Sequence, residues 1–255
     1  MFRDSPTDRT FSRRSLHGQV AHEIGLRIVR GDYPPGTLLP TEEKFSIELG
    51  VSRTALREAI KVLASKGLLD ARPKRGTLIE PRKKWNMLDP DLLAWCFSAG
   101  PSINHVRHLY EFRSIIEPAA AAMAAQRAED EQIILIGQAL EDMRGAASDS
   151  EESIESDLRF HQAIMEASGN DLLIPLGYVI ESALAQSIKL SHRKVGVREN
   201  SIALHEEVFR AIKAHRPQAA REAMNVLLNG ASEDIELVLT MIEQEEKSVS
   251  EVSKK

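Results

Sequence analysis

The pattern of apolar and polar positions near the start of the chain predicts one amphipathic helix. Apolar residues recur at helical spacing after Leu16, so we expect a helix that runs to about Arg30. The segment 31–36 reads Gly-Asp-Tyr-Pro-Pro-Gly and ends this helix, because proline lacks the backbone N–H that a helix needs. Residues 1–14 are polar and basic without a period, and we expect a flexible arm there.

Two shorter helical segments follow and are separated by a turn at Gly50. Thr41 is the expected N-cap of the first segment and Ser52 the expected N-cap of the second, which should end near Lys66. Glycine at position 50 permits a tight turn between them. Two short helices joined by a small turn that contains glycine are typical of a helix-turn-helix.

The next segment has the pattern of a small β-hairpin with a basic tip. Residues 68–72 and 76–80 each predict a short strand, and the sequence Pro-Lys-Arg-Gly occupies positions 73–76 between them. A hairpin of this kind after a helix-turn-helix predicts a β-wing. A plain structural turn is the alternative. We therefore expect a winged helix-turn-helix domain over residues 15–81.

The remainder of the chain is helical in pattern almost without interruption. Residues 82–101 are interpreted as a linker or junction, residues 102–245 as an all-α bundle, and the polar residues 246–255 as a fraying tail. The fold class predicted for the whole chain is mainly α, with the small wing as its β component. Helix starts are expected near Asp89, Ser102, Ala128, Ser150, Asp171, Asn200 and Pro217.

Composition narrows the class of protein further. The 255 residues are 42% hydrophobic, which is enough to bury a core and excludes a wholly disordered chain. Cys96 is the single cysteine, so a disulfide framework or a zinc finger built on cysteines is excluded. The apolar runs are too short to span a bilayer, and the N-terminus lacks the apolar region of a secretory signal, so we expect a cytoplasmic protein.

Charge is distributed unevenly along the chain. Residues 1–84 carry 17 Lys and Arg against 10 Asp and Glu, whereas the remaining residues carry 16 against 28. The first third therefore has a net charge of +7 and the remainder of −12. A basic first domain favours a polyanionic partner. Ordinary unevenness of surface charge is the alternative.

The second helix of the helix-turn-helix carries donors where a recognition helix needs them. Its first turn and a half presents four candidate DNA-reading residues, Ser52, Arg53, Thr54 and Arg57. Arginine can bond guanine O6 and N7 together, which gives about 1–3 kcal/mol of discrimination. Candidate phosphate contacts are Lys61, Lys74 and Arg75. The alternative is a solvated, charged helix face.

These segments resemble a known family of DNA-binding proteins. Residues 31–42, GDYPPGTLLPTE, and 50–59, GVSRTALREA, closely resemble the winged helix-turn-helix of GntR-type bacterial transcription regulators. The resemblance implies that Arg53, Thr54 and Arg57 contact operator DNA and that the wing near Gly76 enters the minor groove. The chain departs from the family at Glu43, where many members have arginine, and Lys44 follows it.

The helical part contains a candidate metal-ligand set. Asp157 and His161 are four residues apart and share one helix face, and His205 comes later in the sequence. One carboxylate and two imidazoles form a common ligand set for Zn²⁺ and similar divalent ions, with positions left open. A surface pair or a hydrogen-bonded pair of these side chains is the alternative.

Residues 102–240 resemble the FCD ligand-binding domain of the FadR-like branch of GntR regulators. In many members one Asp and three His bind a metal ion, and the carboxylate of the effector completes the shell. The resemblance assigns Asp157, His161 and His205 to the first three ligands and places Leu227, which cannot bind a metal ion, at the fourth. Two alternatives follow. Either the three ligands hold a metal ion whose open positions take water and the effector, or the histidines contact the effector directly.

Arg113 matches a position that faces the effector in FCD domains. Its planar guanidinium can hold a carboxylate through two parallel hydrogen bonds. A structural salt bridge with Glu117 or another acid is the alternative. Residues 85–95 resemble the same segment in sugar-acid regulators, notably galactonate-responsive repressors, and this implies an effector such as an aldonate. The alternative is that residues 85–95 only pack the two domains together, and the two roles are compatible.

Three functional hypotheses follow from these observations. The leading one is a repressor that is not an enzyme and that binds palindromic operator half-sites as a homodimer. Binding of a small carboxylate would release it from the operator. The second is a metal-dependent hydrolase with an accessory DNA-binding domain, in which Asp157, His161 and His205 hold Zn²⁺ and an activated water. The third is a DNA-binding dimer that responds to no effector.

Overall fold

The computed structural model describes residues 15–72, 75–99, 103–147, 150–191 and 197–252. The predicted arm, residues 1–14, lies outside these ranges, as does Lys74 at the tip of the wing. The chain divides into two units, Met1–Pro101 and Ser102–Lys255. Each unit is built around its own apolar core.

The first unit contains four helices and one antiparallel hairpin within its described residues. Its elements are α1 (Leu16–Arg30), α2 (Glu42–Glu48), α3 (Arg53–Ser65), β1 (Leu69–Arg72), β2 (Gly76–Ile79) and α4 (Pro90–Ser98), with a 3₁₀ turn at Arg82–Lys84. The hairpin pairs Leu69 with Ile79 and Arg72 with Gly76. The expected helix-turn-helix and wing are therefore present.

The N-caps of α2 and α3 differ in how they work. The Ser52 hydroxyl accepts a hydrogen bond from the Ala55 amide at 3.1 Å, as expected for an N-cap. Thr41 occupies the N-cap position of α2, but its side chain makes no capping hydrogen bond. The first turn of α2 instead carries Glu42 and Glu43, whose negative charges are favourable at a helix N-terminus.

The segment after the wing is built into the core of the first unit. Trp85, Leu92, Trp95 and Cys96 are buried together with residues of α1 and α3. The Trp85 indole N–H donates to the Glu80 carbonyl oxygen at 2.9 Å. Residues 82–99, which the sequence analysis interprets as a linker, thus supply core side chains and helix α4.

The end of α3 is tied to the start of α4 by a buried ion pair. Lys66 Nζ lies 2.8 Å from a carboxylate oxygen of Asp89 and 2.7 Å from one of Asp91. Lys66 and Asp91 are both buried, so their charges depend on one another for compensation.

The described residues of the second unit are helical and contain no strand. The helices are α5 (Ile103–Arg127), α6 (Asp130–Gly145), α7 (Glu151–Ala167), α8 (Ile174–Ser191), α9 (Val197–Lys213) and α10 (Pro217–Val252). The prediction of a mainly α fold is confirmed. Helix α10 continues beyond Glu245 to Val252, where fraying was expected.

The bundle core is assembled from small residues of α5 and larger ones from its neighbours. Ala121 and Ala124 of α5 are buried against a cluster that includes Phe160, Met224 and Leu227. The small side chains allow close helix packing, which brings α5, α7 and α9 within reach of one another. Among the described helices, none is both long and apolar enough to cross a membrane.

Candidate nucleic-acid interface and effector site

Helix α3 presents a buried face and a polar face. Leu56, Ile60 and Leu63 are buried in the core of the first unit. The outer face exposes all five of the residues predicted to contact DNA from this helix, Ser52, Arg53, Thr54, Arg57 and Lys61. The packing of the inner face therefore fixes which side chains are available to a partner.

Two acidic residues of α2 contact the arginines on this outer face. Arg53 Nη2 lies 2.7 Å from Glu43 Oε1, and Arg57 Nε lies 2.7 Å from Glu42 Oε2. Lys61 Nζ pairs with Glu58 at 2.8 Å on α3 itself. Glu43 departs from the family pattern in sequence, but its pairing with Arg53 was not predicted. The available signal was two carboxylates in the first turn of the preceding helix.

The wing is anchored to the segment before α2. The Leu39 amide donates to the Thr77 carbonyl, and the Ile79 amide donates to the Thr37 carbonyl, each at 2.9 Å. Arg75 and Gly76 are exposed at the described end of the hairpin, and Gly76 has a φ of +86°. Glycine adopts this left-handed conformation without steric cost, which permits the tight turn.

The second unit brings five ionisable side chains together inside the bundle. Helix α5 supplies Arg113 and Glu117, α7 supplies Asp157 and His161, and α9 supplies His205. One ligand atom from each of Asp157, His161 and His205 lies within 4.8 Å of the other two. The three residues predicted as metal ligands are therefore neighbours in space.

The contacts of His205 define its tautomer. Its Nδ1 lies 2.8 Å from the Ser201 carbonyl oxygen, which only accepts hydrogen bonds, so Nδ1 carries a proton. Its Nε2 lies 3.2 Å from Asp157 Oδ1 and, within the part of the chain that the structure describes, is a buried atom without a hydrogen-bond partner. A neutral ring would point its Nε2 lone pair at a carboxylate, which is unfavourable unless a proton or a cation lies between them.

His161 is held between the cation and the anion of a buried ion pair. Arg113 donates from Nε to Glu117 Oε1 at 2.6 Å, and its Nη2 lies 3.3 Å from His161 Nε2. Since arginine only donates, His161 Nε2 is the acceptor. Its Nδ1 lies 2.7 Å from Glu117 Oε2. The side chains of Arg113 and Glu117 are each only 3% exposed, so these charges are compensated within the bundle.

The pKa values follow from this burial and pairing. Burial alone would raise the pKa of Glu117, but its interactions with Arg113 and His161 outweigh it and lower that pKa to about 2. Burial likewise opposes ionisation of Asp157, and its interactions with His205 and His161 hold the pKa of Asp157 well below its usual range. Both carboxylates are anionic at neutral pH, which makes the cluster attractive to a cation.

Other residues considered in the sequence analysis lie in different surroundings. The salt bridge between Arg113 and Glu117, considered there as an alternative, is present in the structure. Leu227, at the position of the missing fourth ligand, is 3% exposed and belongs to the apolar core. Glu206, next to His205, pairs with Arg144 and Arg210 on the surface. Glu117 as a partner of His161 was not predicted, because the two residues are far apart in sequence.

A small cavity adjoins the cluster. Its polar lining comes from Glu117, His161, Gln162 and Glu181, and its apolar lining includes Leu158 and Leu184. The described residues leave an accessible volume of about 10 Å³, which is room for a water molecule. A sugar-sized ligand would require side chains of α7 and α8 to move apart.

Comparison with known proteins agrees with this two-part architecture. A family model described as bacterial regulatory proteins of the gntR family matches residues 16–79, and a model of the FCD domain matches residues 108–230. The galactonate operon transcriptional repressor of Escherichia coli K12 is 31% identical over 208 residues, covering 80% of this chain and 90% of that protein. The chain belongs to the GntR family.

Other relatives of this GntR protein share its architecture. The transcriptional repressor NanR of Klebsiella aerogenes is 28% identical over 227 residues, covering 88% of this chain and 86% of that protein. A solved structure of Lar, which controls expression of the Listeria monocytogenes agr system, has the same fold. Its TM-score is 0.62 at 19% identity, and the match covers 87% of this chain and 97% of Lar.

Membership in this family confirms the predicted function class. The chain is a DNA-binding transcriptional regulator with an effector-responsive FCD domain of the FadR-like branch.

Proposed function

We propose that this GntR regulator is a repressor that releases operator DNA when a small carboxylate, such as a sugar acid, binds inside its helical domain. The observation that carries the proposal is the group formed by four buried side chains, Arg113, Glu117, His161 and His205, together with the partly buried Asp157. Burying so many ionisable groups is costly, and a core of apolar residues would serve stability as well. Such a group is typical of a binding site.

The donor set fits a divalent cation such as Zn²⁺. Asp157, His161 and His205 would hold it, and the buried Nε2 of His205 facing Asp157 is the arrangement that a cation would relieve. The Ser201 carbonyl fixes the ring of His205 from behind, as partners of metal-binding histidines commonly do. When bound, the ion would supply positive charge and open positions for water or a carboxylate. Leu227 offers no fourth ligand.

Arg113 and a cation would compete for the same atom. The Nε2 of His161 accepts from Arg113, and it is also the nitrogen nearer to Asp157, at 3.8 Å. If His161 held a cation through this nitrogen, Arg113 Nη2 would have to give up its contact with His161. Once released, that nitrogen is a donor for a carboxylate.

The lining of the cavity favours a ligand with hydroxyl groups. Gln162 and Glu181 line the cavity together with Glu117 and His161, and their side-chain oxygens are acceptors that match the hydroxyl groups of a ligand. A sugar acid combines such hydroxyls with a carboxylate for Arg113 or a bound cation. The galactonate operon repressor of Escherichia coli, at 31% identity, supports this ligand class.

We propose that the first unit reads DNA through α3 and the wing. Ser52, Arg53, Thr54 and Arg57 would face base edges, and Lys61, Arg75 and Gly76 would contact the backbone or the minor groove. Lys74 is proposed for a phosphate contact from sequence alone, since it lies outside the described residues. A two-fold homodimer would match palindromic half-sites in the bacterial cytoplasm.

A hydrolase is not favoured by the site. Glu206, the acid nearest in sequence to a candidate ligand, is directed towards Arg144 and Arg210. Binding, rather than turnover, is the proposed role of the cluster, and the protein is proposed to have no enzymatic activity.

The proposal is tested by titrating effector against a bound operator. Full-length protein first selects duplexes from a random pool, and fluorescence anisotropy then follows release of the enriched duplex by galactonate, gluconate or acetate, with Zn²⁺ or with a chelator. Release by an aldonate with coupling of about 1–3 kcal/mol, or roughly 5–150-fold in affinity, supports the proposal. His205→Ala should abolish release, whereas His108→Ala, an exposed histidine of the same unit, should not.

Three results would count against parts of the proposal. Enrichment of no sequence would remove the DNA-reading role. Release by no carboxylate, with or without Zn²⁺, would remove the effector role and favour a DNA-binding dimer that responds to no ligand. Equal Zn²⁺ content in wild type and His205→Ala after dialysis would remove the metal role.

A further inference from the structure

The acidic residues at the start of α2 contact the two arginines of α3 through different guanidinium nitrogens. Glu42 contacts Arg57 at Nε, whereas Glu43 contacts Arg53 at Nη2. Both distances are 2.7 Å, typical of a charge-assisted hydrogen bond. The two arginines are therefore not equivalent as readers of a base.

Arg57 is held in a way that leaves its end available. Its contact with Glu42 is made through Nε, and its terminal nitrogens, Nη1 and Nη2, donate no hydrogen bond to another described residue. An arginine that reads guanine end-on directs two parallel N–H groups at O6 and N7. Glu42 thus orients Arg57 without occupying the pair of nitrogens that such a contact uses.

Arg53 is held by the end that would read the base. Its Nη2 donates one of its two N–H groups to Glu43, so Glu43 and a guanine draw on the same nitrogen, and turning the end of Arg53 to the base exchanges this hydrogen bond. The side chains are 59% and 68% exposed for Arg53 and Glu43 respectively. Exposed pairs contribute little to folding, so the exchange does not disturb the helix-turn-helix.

We propose that Glu43 is a specificity-determining residue of the DNA-reading surface and acts as an internal competitor for Arg53. Guanine at the matching position replaces the lost contact with two hydrogen bonds. Other bases do not, so on mismatched DNA Arg53 stays paired with Glu43 and is withheld from the bases and phosphates. Glu43 therefore weakens binding to mismatched DNA more than binding to the operator. The inference rests on the proposed base-reading role of Arg53.

The test compares two duplexes and four proteins. Duplexes enriched from a random pool by full-length wild-type protein provide the selected probe, and a scrambled duplex of the same composition provides the mismatched probe. Anisotropy gives the dissociation constants of wild type, Glu43→Gln, Arg53→Ala and the double variant, at two salt concentrations. Circular dichroism of each variant confirms that it is folded.

A matched control separates this effect from a simple change of net charge. Glu48 lies on the same helix as Glu43 and also pairs with an arginine, at 3.2 Å, but its partner is Arg27 of α1. Glu48→Gln removes the same charge from α2 and leaves the pairs of α3 intact.

We expect Glu43→Gln to bind the scrambled duplex about tenfold more tightly than wild type does, and to change its affinity for the selected duplex by about twofold at most. The specificity ratio, which is the dissociation constant for the scrambled duplex divided by that for the selected duplex, therefore falls. Glu48→Gln should leave that ratio unchanged. In the Arg53→Ala background, Glu43→Gln should no longer change it, because the competitor has no arginine to hold.

The inference is overturned if Glu43→Gln shifts both duplexes by the same factor, or if it still lowers the ratio in the absence of Arg53. Those outcomes leave the protein a DNA-binding regulator. Failure of the proposed DNA-reading function gives a different result, namely no enriched sequence for wild type.

Discussion

A Cβ atom on Gly25 would lie 2.3 Å from Cζ3 of Trp95, so α1 and α4 approach one another at a distance that only glycine permits. The Trp95 indole N–H donates to His22 Nδ1 at 2.7 Å, one turn earlier on α1. The ring is 2% exposed and belongs to the core of the first unit. The position of α4 is thus fixed both by shape and by a hydrogen bond.

We therefore expect Gly25→Ala to destabilise the first unit. The added methyl group would displace the Trp95 ring, and overpacking of this kind costs about 1–3 kcal/mol. Thermal and urea denaturation measure the loss in free energy of unfolding. Gly230→Ala is the matched control, because its Cβ would lie 3.7 Å from Leu204 Cδ1, an ordinary contact distance. A Gly25→Ala protein as stable as wild type would contradict the close approach.

The extent of the first unit gives a second prediction. A fragment of residues 15–99 should fold cooperatively, whereas a fragment of residues 15–81 should be largely unfolded. The shorter fragment loses Trp85 and Trp95 from the core and leaves Lys66 buried without its carboxylates. Circular dichroism with urea titration of both fragments makes the comparison. Equal midpoints would show that α4 contributes nothing to the unit.

The predictability of this fold differs between local and long-range features. The helical period and the Ser52 cap are local, and the structure confirms the helices and the wing that they predict. The contact of Gly25 with Trp95 joins residues far apart in sequence, so it left no local signal. Residues 82–101 were therefore interpreted as a linker although they carry core side chains.

The same contrast holds in the candidate effector site. Asp157 and His161 are four residues apart on one helix, so their shared face follows from the helical period. Their proximity to His205 was expected through the family resemblance. The pairing of Glu117 with His161 depends on how α5 packs against α7, which periodicity does not specify.

The buried pair of Arg113 and Glu117 gives a third prediction. Arg113→Met should destabilise the second unit by about 3–5 kcal/mol, because it leaves the Glu117 carboxylate buried without its main partner. The double variant Arg113→Met, Glu117→Leu should recover most of the loss, since neither charge then remains. A double-mutant cycle from urea denaturation measures the coupling.

A solvent-exposed pair is the control for that cycle. Arg210 pairs with Glu207 at 2.7 Å and its side chain is 60% exposed. Arg210→Met should change the free energy of unfolding by less than about 1 kcal/mol. A loss for Arg113→Met of similar size would mean that the buried pair is solvated in solution.

Cys96 gives a fourth prediction because it reports opening of the first unit. The thiol is 1% exposed, and burial raises the pKa of Cys96, with the charge of Arg82 opposing this only in part. Iodoacetamide at pH 8 should therefore modify the native protein at least about 100-fold more slowly than the urea-unfolded protein. Gly25→Ala should accelerate modification, because it lowers the free energy needed to expose the thiol, whereas Gly230→Ala should not. Rapid modification of native wild type would show that residues 82–99 separate readily from the core.

The raised pKa of Cys96 also links stability to pH. The neutral thiol stabilises the folded state at neutral pH, and this contribution is lost as the pH rises above the ordinary thiol pKa of about 8.5.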